Sequence, residues 1–349
     1  MSKKIGKQTI FFEKKPKICG FAGVAGKKES EGPIGKFFDK TFQDTTLGEK
    51  TWEKSEGMLQ KNAVEIALEK AKISANEVDI VFAGDLLDQC ISSTFGLKDK
   101  RIPFLGQFGA CSTMAQTLIL SSLVVDSGAA NTCLAVTSSH FCSAERQYRF
   151  PLEYGGQRTP TAQWTVTGSG AAVVSKDGGD LFVNSALIGK IEDLGVRDSS
   201  NMGAAMAPAA AETIKTFFED TKTEPTDYDL ILTGDLGETG SVLLVKLLKK
   251  YGVDISTDPS AGISHSSGAF GKHNDCGLMI YDRKKQDVHA GGSGCGCSAS
   301  VLCSVIFQKM KKKEINNVVF VATGALMSPT SFQQGETIPG IAHLVNIKI

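Results

Sequence analysis

Residues 62–86 read NAVEIALEKAKISANEVDIVFAGDL, and residues 212–236 read ETIKTFFEDTKTEPTDYDLILTGDL. The two stretches align without a gap, although only 6 of the 25 positions are identical. Each carries apolar residues at helical spacing, a short polar link, and an apolar run ending in Gly-Asp-Leu. A second pair follows: GACSTMAQTLILSSLVV from Gly109 and GCGCSASVLCSVIFQKM from Gly294. In both, a Cys-Ser pair stands before an apolar helical run, and a Thr closes a later strand. Cys111 to Thr137 and Cys297 to Thr323 are both 26 residues. A repeated β/α unit predicts an α/β protein of two similar halves about a pseudo-twofold axis, with a site where they meet. Lys176-Asp-Gly-Gly-Asp180 is the turn between them, giving halves of residues 1–178 and 179–349.

Around these blocks the element pattern is regular. Residues 18–24 read as a first strand, 27–50 as a long polar loop, and Thr51 to Lys72 as a helix. Val78 to Ala83 is a short apolar run, the pattern of a buried parallel strand. Ser112 to Val125 is apolar nearly all round, which predicts a helix buried on every side. Thr132 to Thr137 and Gly168 to Val174 are strands, with an elaborated loop over 141–166. The second half repeats the order: strand Leu181–Ile188, helix Ala204–Asp220, strand Tyr228–Thr233, helices Val242–Tyr251 and Ala299–Lys311, and strands Val318–Ala322 and Ile341–Ile347.

Composition narrows the function. Lys+Arg and Asp+Glu both number 38, and this balance argues against a nucleic-acid binder held by phosphate contacts. The opening MSKKIGKQTIFFEKKPK has no apolar core, so it does not read as a secretory signal. The longest uncharged stretch, Ile102 to Val125, is broken by Pro103, Gly106, Gln107, Gly109, Ser112 and Thr113, so it is not read as a membrane span. Nine cysteines without a framework spacing point to free thiols in a reducing compartment. Cys295 and Cys297 form a C-x-C with no second pair to complete a zinc site, so neither metal nor cofactor is expected.

The residues that can carry chemistry are few. Cys111 precedes a buried helix, where unpaired N–H groups and the positive dipole end favour a thiolate. It reads either as a nucleophile or ligand contact, or as a small buried residue at a helix start. His140 lies beyond a strand end, a position suited to a base or a hydrogen-bond donor or to a satisfied loop histidine. Asp85 and Asp235 take matched positions after two strands, either as functional carboxylates or as one turn device used twice. Glu145, Arg146 and Arg149 follow His140, and arginine forks suit carboxylate ligands. The Gly-rich run Gly291–Ser300 includes Gly292 and Ser293 and can present N–H groups to an anion. His289, just before it, and His273 are weaker candidates.

Cys111 before a buried helix, GSGAAVV late in the first half and a Gly-rich helix entry in the second together resemble the thiolase-like superfamily over essentially the whole chain. GPIGKFFDKT, AGDLLDQ, FGACST, TSSH, AERQYRFPLEYGGQ, MAPAAAETIK, DYDLILTGDL, KHNDCGL, GGSGCGCSA and VVFVATGALMSPT resemble, more closely, the stage V sporulation protein AD family. The condensing enzymes of the superfamily pair their nucleophile with a His where this chain has Asp235, and use an Asn where it has Ser293, Gly294 and Cys295. They carry an Asp where it has Ser169. Only His289 falls near the position of a thiolase His. A cysteine without base and oxyanion donors is poorly equipped for acyl transfer.

The sporulation family therefore implies non-catalytic binding of dipicolinic acid, free or as a calcium chelate. By that resemblance Asp85 and Cys111 are the first ligand-binding positions, with His140, Arg146, Arg149, Gly292 and Ser293 around them. It also implies uptake into the developing spore with membrane proteins of the same complex, a peripheral place at the forespore or spore inner membrane of the sporulating cell, and a homodimer formed around Ile102–Phe108. The alternatives are a Cys111-dependent acyltransferase or condensing enzyme with His140 or His289 as base, and a scaffold with a vestigial pocket.

Overall fold

The computed structural model describes residues 2–148, 158–256 and 272–349. The first half supplies strand β1 (Lys17–Ala25), helix α1 (Trp52–Ala71), β2 (Ile80–Gly84), β3 (Phe104–Gln107), helix α2 (Thr113–Ser127), β4 (Thr132–Ser139) and β5 (Gly168–Ser175). The second supplies β6 (Leu181–Leu187), helix α3 (Met202–Thr221), β7 (Leu230–Thr233), β8 (His273–Asp275), helix α4 (Cys295–Val301, continuing through a π-helical turn), β9 (Asn317–Ala325) and β10 (Gly340–Lys348).

The strand order is β8-β7-β9-β10-β6-β1-β5-β4-β2-β3. Outward from the centre, each half runs first strand, last strand, then the strand after the Cys-Ser helix, then the strand ending in Gly-Asp-Leu. The pairings match as well. β1–β5 and β5–β4 are antiparallel, as are β6–β10 and β10–β9, while β4–β2–β3 and β9–β7–β8 are parallel. The halves join where β6 meets β1, through the pairs Ile18–Leu181 and Lys17–Phe182, and the short first-half strand Thr9–Phe11, through Ser185–Leu187. The duplication reaches into local geometry. α1 and α3 both span 20 residues and both end on a lysine in the left-handed region, Lys72 and Lys222. Each is followed by a 3-10 turn closed by a capping box, Ser74 with Glu77 and Glu224 with Asp227.

Alternation along the strands sorts the side chains into layers. Val81, Ala83, Leu134, Val136, Ala171 and Val173 face outward onto Leu59, Ala63, Val64 and Ala67 of α1. Phe82, Cys133, Ala135, Ala172 and Val174 face inward, onto Met114 and Leu118 of α2 and Val301 and Leu302 of α4. From the other side the same central core receives Leu230, Leu232, Val318, Phe320 and Val345, while Ile231, Val319, Val321 and Leu344 turn out against Ala210, Ile214 and Phe217 of α3. The product is a five-layer α-β-α-β-α stack with α2 and α4 at its centre. This explains why the Ser112–Val125 segment has no polar face.

The segment 141–166 departs from the loop expected of it: Phe141–Tyr148 is a helix, and Trp164–Thr165 pairs in parallel with Gly292–Ser293. Eight residues give too few turns for a periodic pattern to show. The helix Ile91–Leu97 and the edge strand β3 also lie in stretches without a clear period. Among the described residues no helix is long and apolar enough to cross a membrane.

Candidate functional site

The inner ends of the two central helices meet at Cys111. Gly109 to Thr113 form a tight turn fixed by their own hydroxyls: Ser112 Oγ donates to Gly109 O at 2.6 Å and Thr113 Oγ1 to Ala110 O at 2.6 Å. Ala110 sits at φ +51°, an uncommon conformation for a residue with a Cβ, and it aims Cys111 inward. The end of β9 lies directly against this turn. A Cβ on Gly324 would stand 2.9 Å from Gly109 O and 3.2 Å from Ser112 N, so only glycine permits this approach of the second half to the first.

The thiol, 6% exposed, lies against the Asp235 carboxylate. Asp235 is fully buried. Its Oδ2 accepts Gly294 N–H at 2.8 Å and its Oδ1 accepts Thr323 Oγ1 at 2.8 Å. Burial raises the Asp235 pKa from 3.8 to about 6 against these three contacts. Burial first, then the Asp235 charge and the neighbouring Cys295 thiol, push Cys111 well above the ordinary thiol range; the Gly294 N–H opposes them only weakly. The expected thiolate is thereby corrected. The helix start is present, but desolvation and a like charge outweigh its dipole. Cys295, the first residue of α4, is also buried, and its thiol donates to Ser138 O at 2.9 Å.

A small cavity of about 50 Å³ opens at this sulfur, lined by Leu86, Ala110, Cys111, Ala144, Tyr148, Thr165, Met202, Ser293, Ala325 and Met327. The space suits a few water molecules. Tyr148 closes one side and donates its hydroxyl to Leu86 O. Among the described residues the hydroxyls of Thr165 and Ser293 have no hydrogen-bond partner.

The sequence candidates separate on this frame. Cys111 and Ser293 line the cavity, while Gly292 lies beneath it, its carbonyl taken by Gln163 Nε2 at 2.8 Å. His140 is buried with both ring nitrogens engaged: Nε2 donates to Thr45 O at 2.8 Å and Nδ1 accepts Cys142 N–H at 3.2 Å. Burial lowers its pKa. It is therefore a structural neutral imidazole and not a base for Cys111. His289 is directed to Thr159 O and Asp287, outside the cavity. Arg146 pairs with Glu53 and lies over the Trp52 ring, on a separate groove of about 600 Å³. Arg149 lies outside the described residues. His273, on β8, contacts Thr233 Oγ1 of β7.

Asp85 and Asp235, twins in sequence, have different work. Asp85 Oδ1 accepts Leu87 N–H at 2.9 Å, and its Oδ2 accepts the Ser93 N–H at 2.8 Å and hydroxyl at 2.6 Å. It holds the loop that carries Leu86 and, among the described residues, lines neither this cavity nor the groove at Arg146. In the second half that task falls to Asp275, which accepts Thr233 Oγ1, Leu236 N–H and Gly237 N–H. Behind Asp85 lies a buried polar chain that the sequence did not reveal. Gln60 Nε2 donates to Ser93 Oγ at 2.8 Å and Ser138 Oγ at 2.9 Å, and Ser138 and Ser143 reach Glu56. Burial and then the Asp85 charge raise the Glu56 pKa. Among the described residues no cluster of three His, Cys, Asp or Glu side chains forms a metal site.

Residues missed by sequence reasoning are Asp235 as the thiol's partner, Tyr148, Thr165 and the two methionines at the mouth. The signal for Asp235 was present, since the repeat placed it after β7 where condensing enzymes carry a base.

Comparison with known proteins is consistent with this frame. Residues 6–348 match the family model described as stage V sporulation protein AD. The stage V sporulation protein AD of Bacillus subtilis (strain 168) is 48% identical over 338 residues, covering 97% of this chain and 96% of that protein. Among solved structures, 3-oxoacyl-[acyl-carrier-protein] synthase III from Aquifex aeolicus VF5 superposes with a TM-score of 0.57 at 14% identity, over 96% of this chain and 100% of that one. Cerulenin-bound OleA of Xanthomonas campestris gives 0.59 at 12% identity, over 97% and 100%. At such identities these structures establish the thiolase-like fold and nothing of activity.

Proposed function

The chain belongs to the stage V sporulation protein AD family, and from that premise we propose that it binds dipicolinic acid without transforming it, in support of dipicolinate uptake into the developing spore. The observation that carries this reading is the Cys111–Asp235 contact. A thiol facing a carboxylate is held protonated, and the Gly294 N–H that would serve an oxyanion is spent on Asp235 instead. Acyl transfer needs the opposite arrangement, a base beside the thiol and free donors opposite it.

The lining of the same cavity, though not its present volume, suits a planar diacid. Leu86, Ala144, Ala325 and the methionines offer apolar walls, and the Thr165 and Ser293 hydroxyls offer donors to a carboxylate. The ligand needs more room than the closed cavity gives, and Met202 and Met327, unbranched and adaptable, are the side chains placed to yield it. Within this reading, membrane proteins of the uptake complex are the partners. A second copy pairs across the edge strand β3, where Leu105 and Phe108 are 52% and 51% exposed.

Titration calorimetry with dipicolinate, with and without calcium, tests the proposal: saturable binding reduced by Ser293→Ala supports it, and no binding at millimolar ligand under either condition refutes it. The acyltransferase reading keeps one specific support, the inward turn at Ala110 that presents Cys111. Incubation with acyl-CoA and intact-mass measurement would show an adduct lost in Cys111→Ser if that reading were right.

A further inference from the structure

We propose that Lys28, Arg158 and Trp164 form a binding site for a phosphate-type oxyanion, separate from the Cys111 cavity. Thr165 faces that cavity, and its strand neighbour Trp164 therefore projects from the opposite face of the short ribbon. Phe141 stacks on the Trp164 ring at 3.8 Å with the planes 8° apart. Two cations converge on the same ring: Lys28 Nζ lies 3.5 Å from its centroid and Arg158 Cζ 4.6 Å. They converge again on a single uncharged acceptor, since Lys28 Nζ donates to Asp287 O at 3.1 Å and Arg158 Nη2 to the same oxygen at 3.0 Å.

Among the described residues the carboxylates around this pair are engaged elsewhere, shared or remote. Glu29, beside Lys28 on the short helix Lys27–Ser30, turns inward to Tyr281 and the Thr167 N–H. Arg283 and Glu238 pair with each other. Among the described residues the Asp287 carboxylate is the one in contact, and Glu31 acts on Lys28 without an ion pair. The Asp287 carboxylate is 74% exposed and divided between Arg158 Nη2 at 3.3 Å and His289 Nε2 at 2.9 Å.

A second observation points to a missing acceptor. Arg158 Nη1 is buried and has no hydrogen-bond partner among the described residues. A buried guanidinium N–H without an acceptor is rare, because nothing replaces the water it gave up. Burial, and then the Arg158 charge, also lower the Lys28 pKa against the opposing Asp287, Glu29 and Glu31 charges, so the two heads repel one another. A tetrahedral oxyanion resolves both defects at once. One oxygen meets the guanidinium, another meets the ammonium, and the negative charge lies between two positive ones.

The chain has two tryptophans, so Trp52→Phe leaves Trp164 as the only indole reporter. In that background, inorganic phosphate at constant ionic strength is expected to give a saturable change in emission. The response should weaken at least tenfold in Arg158→Gln and again in Lys28→Gln, and persist in Cys111→Ala, which separates this site from the cavity. Vesicles of phosphatidylglycerol against phosphatidylcholine form the second arm. A vesicle response lost in the same two variants identifies a lipid headgroup as the source of the oxyanion, and a response to phosphate alone identifies a soluble one. Absence of a saturable response in both arms, or a response that survives both substitutions, overturns the proposal.

Discussion

Asp235→Asn removes the charge that faces Cys111 while keeping the shape of the side chain. The amide oxygen can still accept from Gly294 N–H, and the amide nitrogen can donate to Thr323 Oγ1, whose own proton is then free to turn away. Two unit charges ~4 Å apart at an effective dielectric of ~20 interact by ~4 kcal/mol, or about three pKa units. Removing one should lower the Cys111 pKa by as much as that, leaving burial and the neighbouring Cys295 as the remaining causes of its elevation. A stability effect accompanies it. The Asp235 pKa is raised on folding, from 3.8 to about 6. Its contribution to stability is therefore fully present below 3.8 and is lost as pH rises through about 6, a loss of about 3 kcal/mol by pH 7. The asparagine variant should lack this slope. The assay is the rate of iodoacetamide addition against pH, followed by intact mass, with Cys111→Ser in the same background to subtract the other thiols. The profile should move down by more than one pH unit, and thermal unfolding between pH 4 and 7 should flatten. An alkylation profile that stays in place or moves upward would refute the claim that Asp235 holds this thiol protonated.

Three further outcomes follow from the same geometry. Asp85→Ala strands the Leu87 and Ser93 N–H groups and the Ser93 hydroxyl, so chemical denaturation should show a loss of about 3 kcal/mol or more; wild-type stability with reduced dipicolinate affinity would instead make Asp85 a ligand contact. Gly324→Ala drives a Cβ to 2.9 Å from Gly109 O, and overpacking of this kind should cost about 1–3 kcal/mol and disturb Cys111 alkylation, whereas an unchanged melting curve would show that the halves can separate freely there. Leu105→Glu places a charge on the exposed edge strand β3 and should convert a dimer to monomer in light scattering; a mass that is the same for both proteins removes β3 from the interface.

Much of the fold was legible because its signals are local. The unbroken apolar run Val318–Ala322 and the helical spacing in Thr51–Lys72 depend on neighbours along the chain, and they placed β9 and α1 within a few residues. The helix Phe141–Tyr148 and the Trp164–Thr165 ribbon were hidden because they are short and owe their form to packing against distant segments. At the site, Cys111 was found from its place before a buried helix. For His140 the choice between a base, a donor and a satisfied loop histidine stayed open, because its two ring partners, Thr45 and Cys142, come from a loop and a helix start that no pattern predicts.

By itself the sequence determined that the protein is two copies of one β/α unit, since a repeated spacing of apolar residues compels a repeated pair of elements whatever surrounds them. The tertiary structure alone decided what the two Gly-Asp-Leu aspartates do. Asp85 is enclosed by its own loop, while Asp235 is turned toward a sulfur, an amide and a hydroxyl brought from three distant parts of the chain. A carboxylate's protonation and partners are set by burial and by charges across space, and identical local sequence carries no record of either.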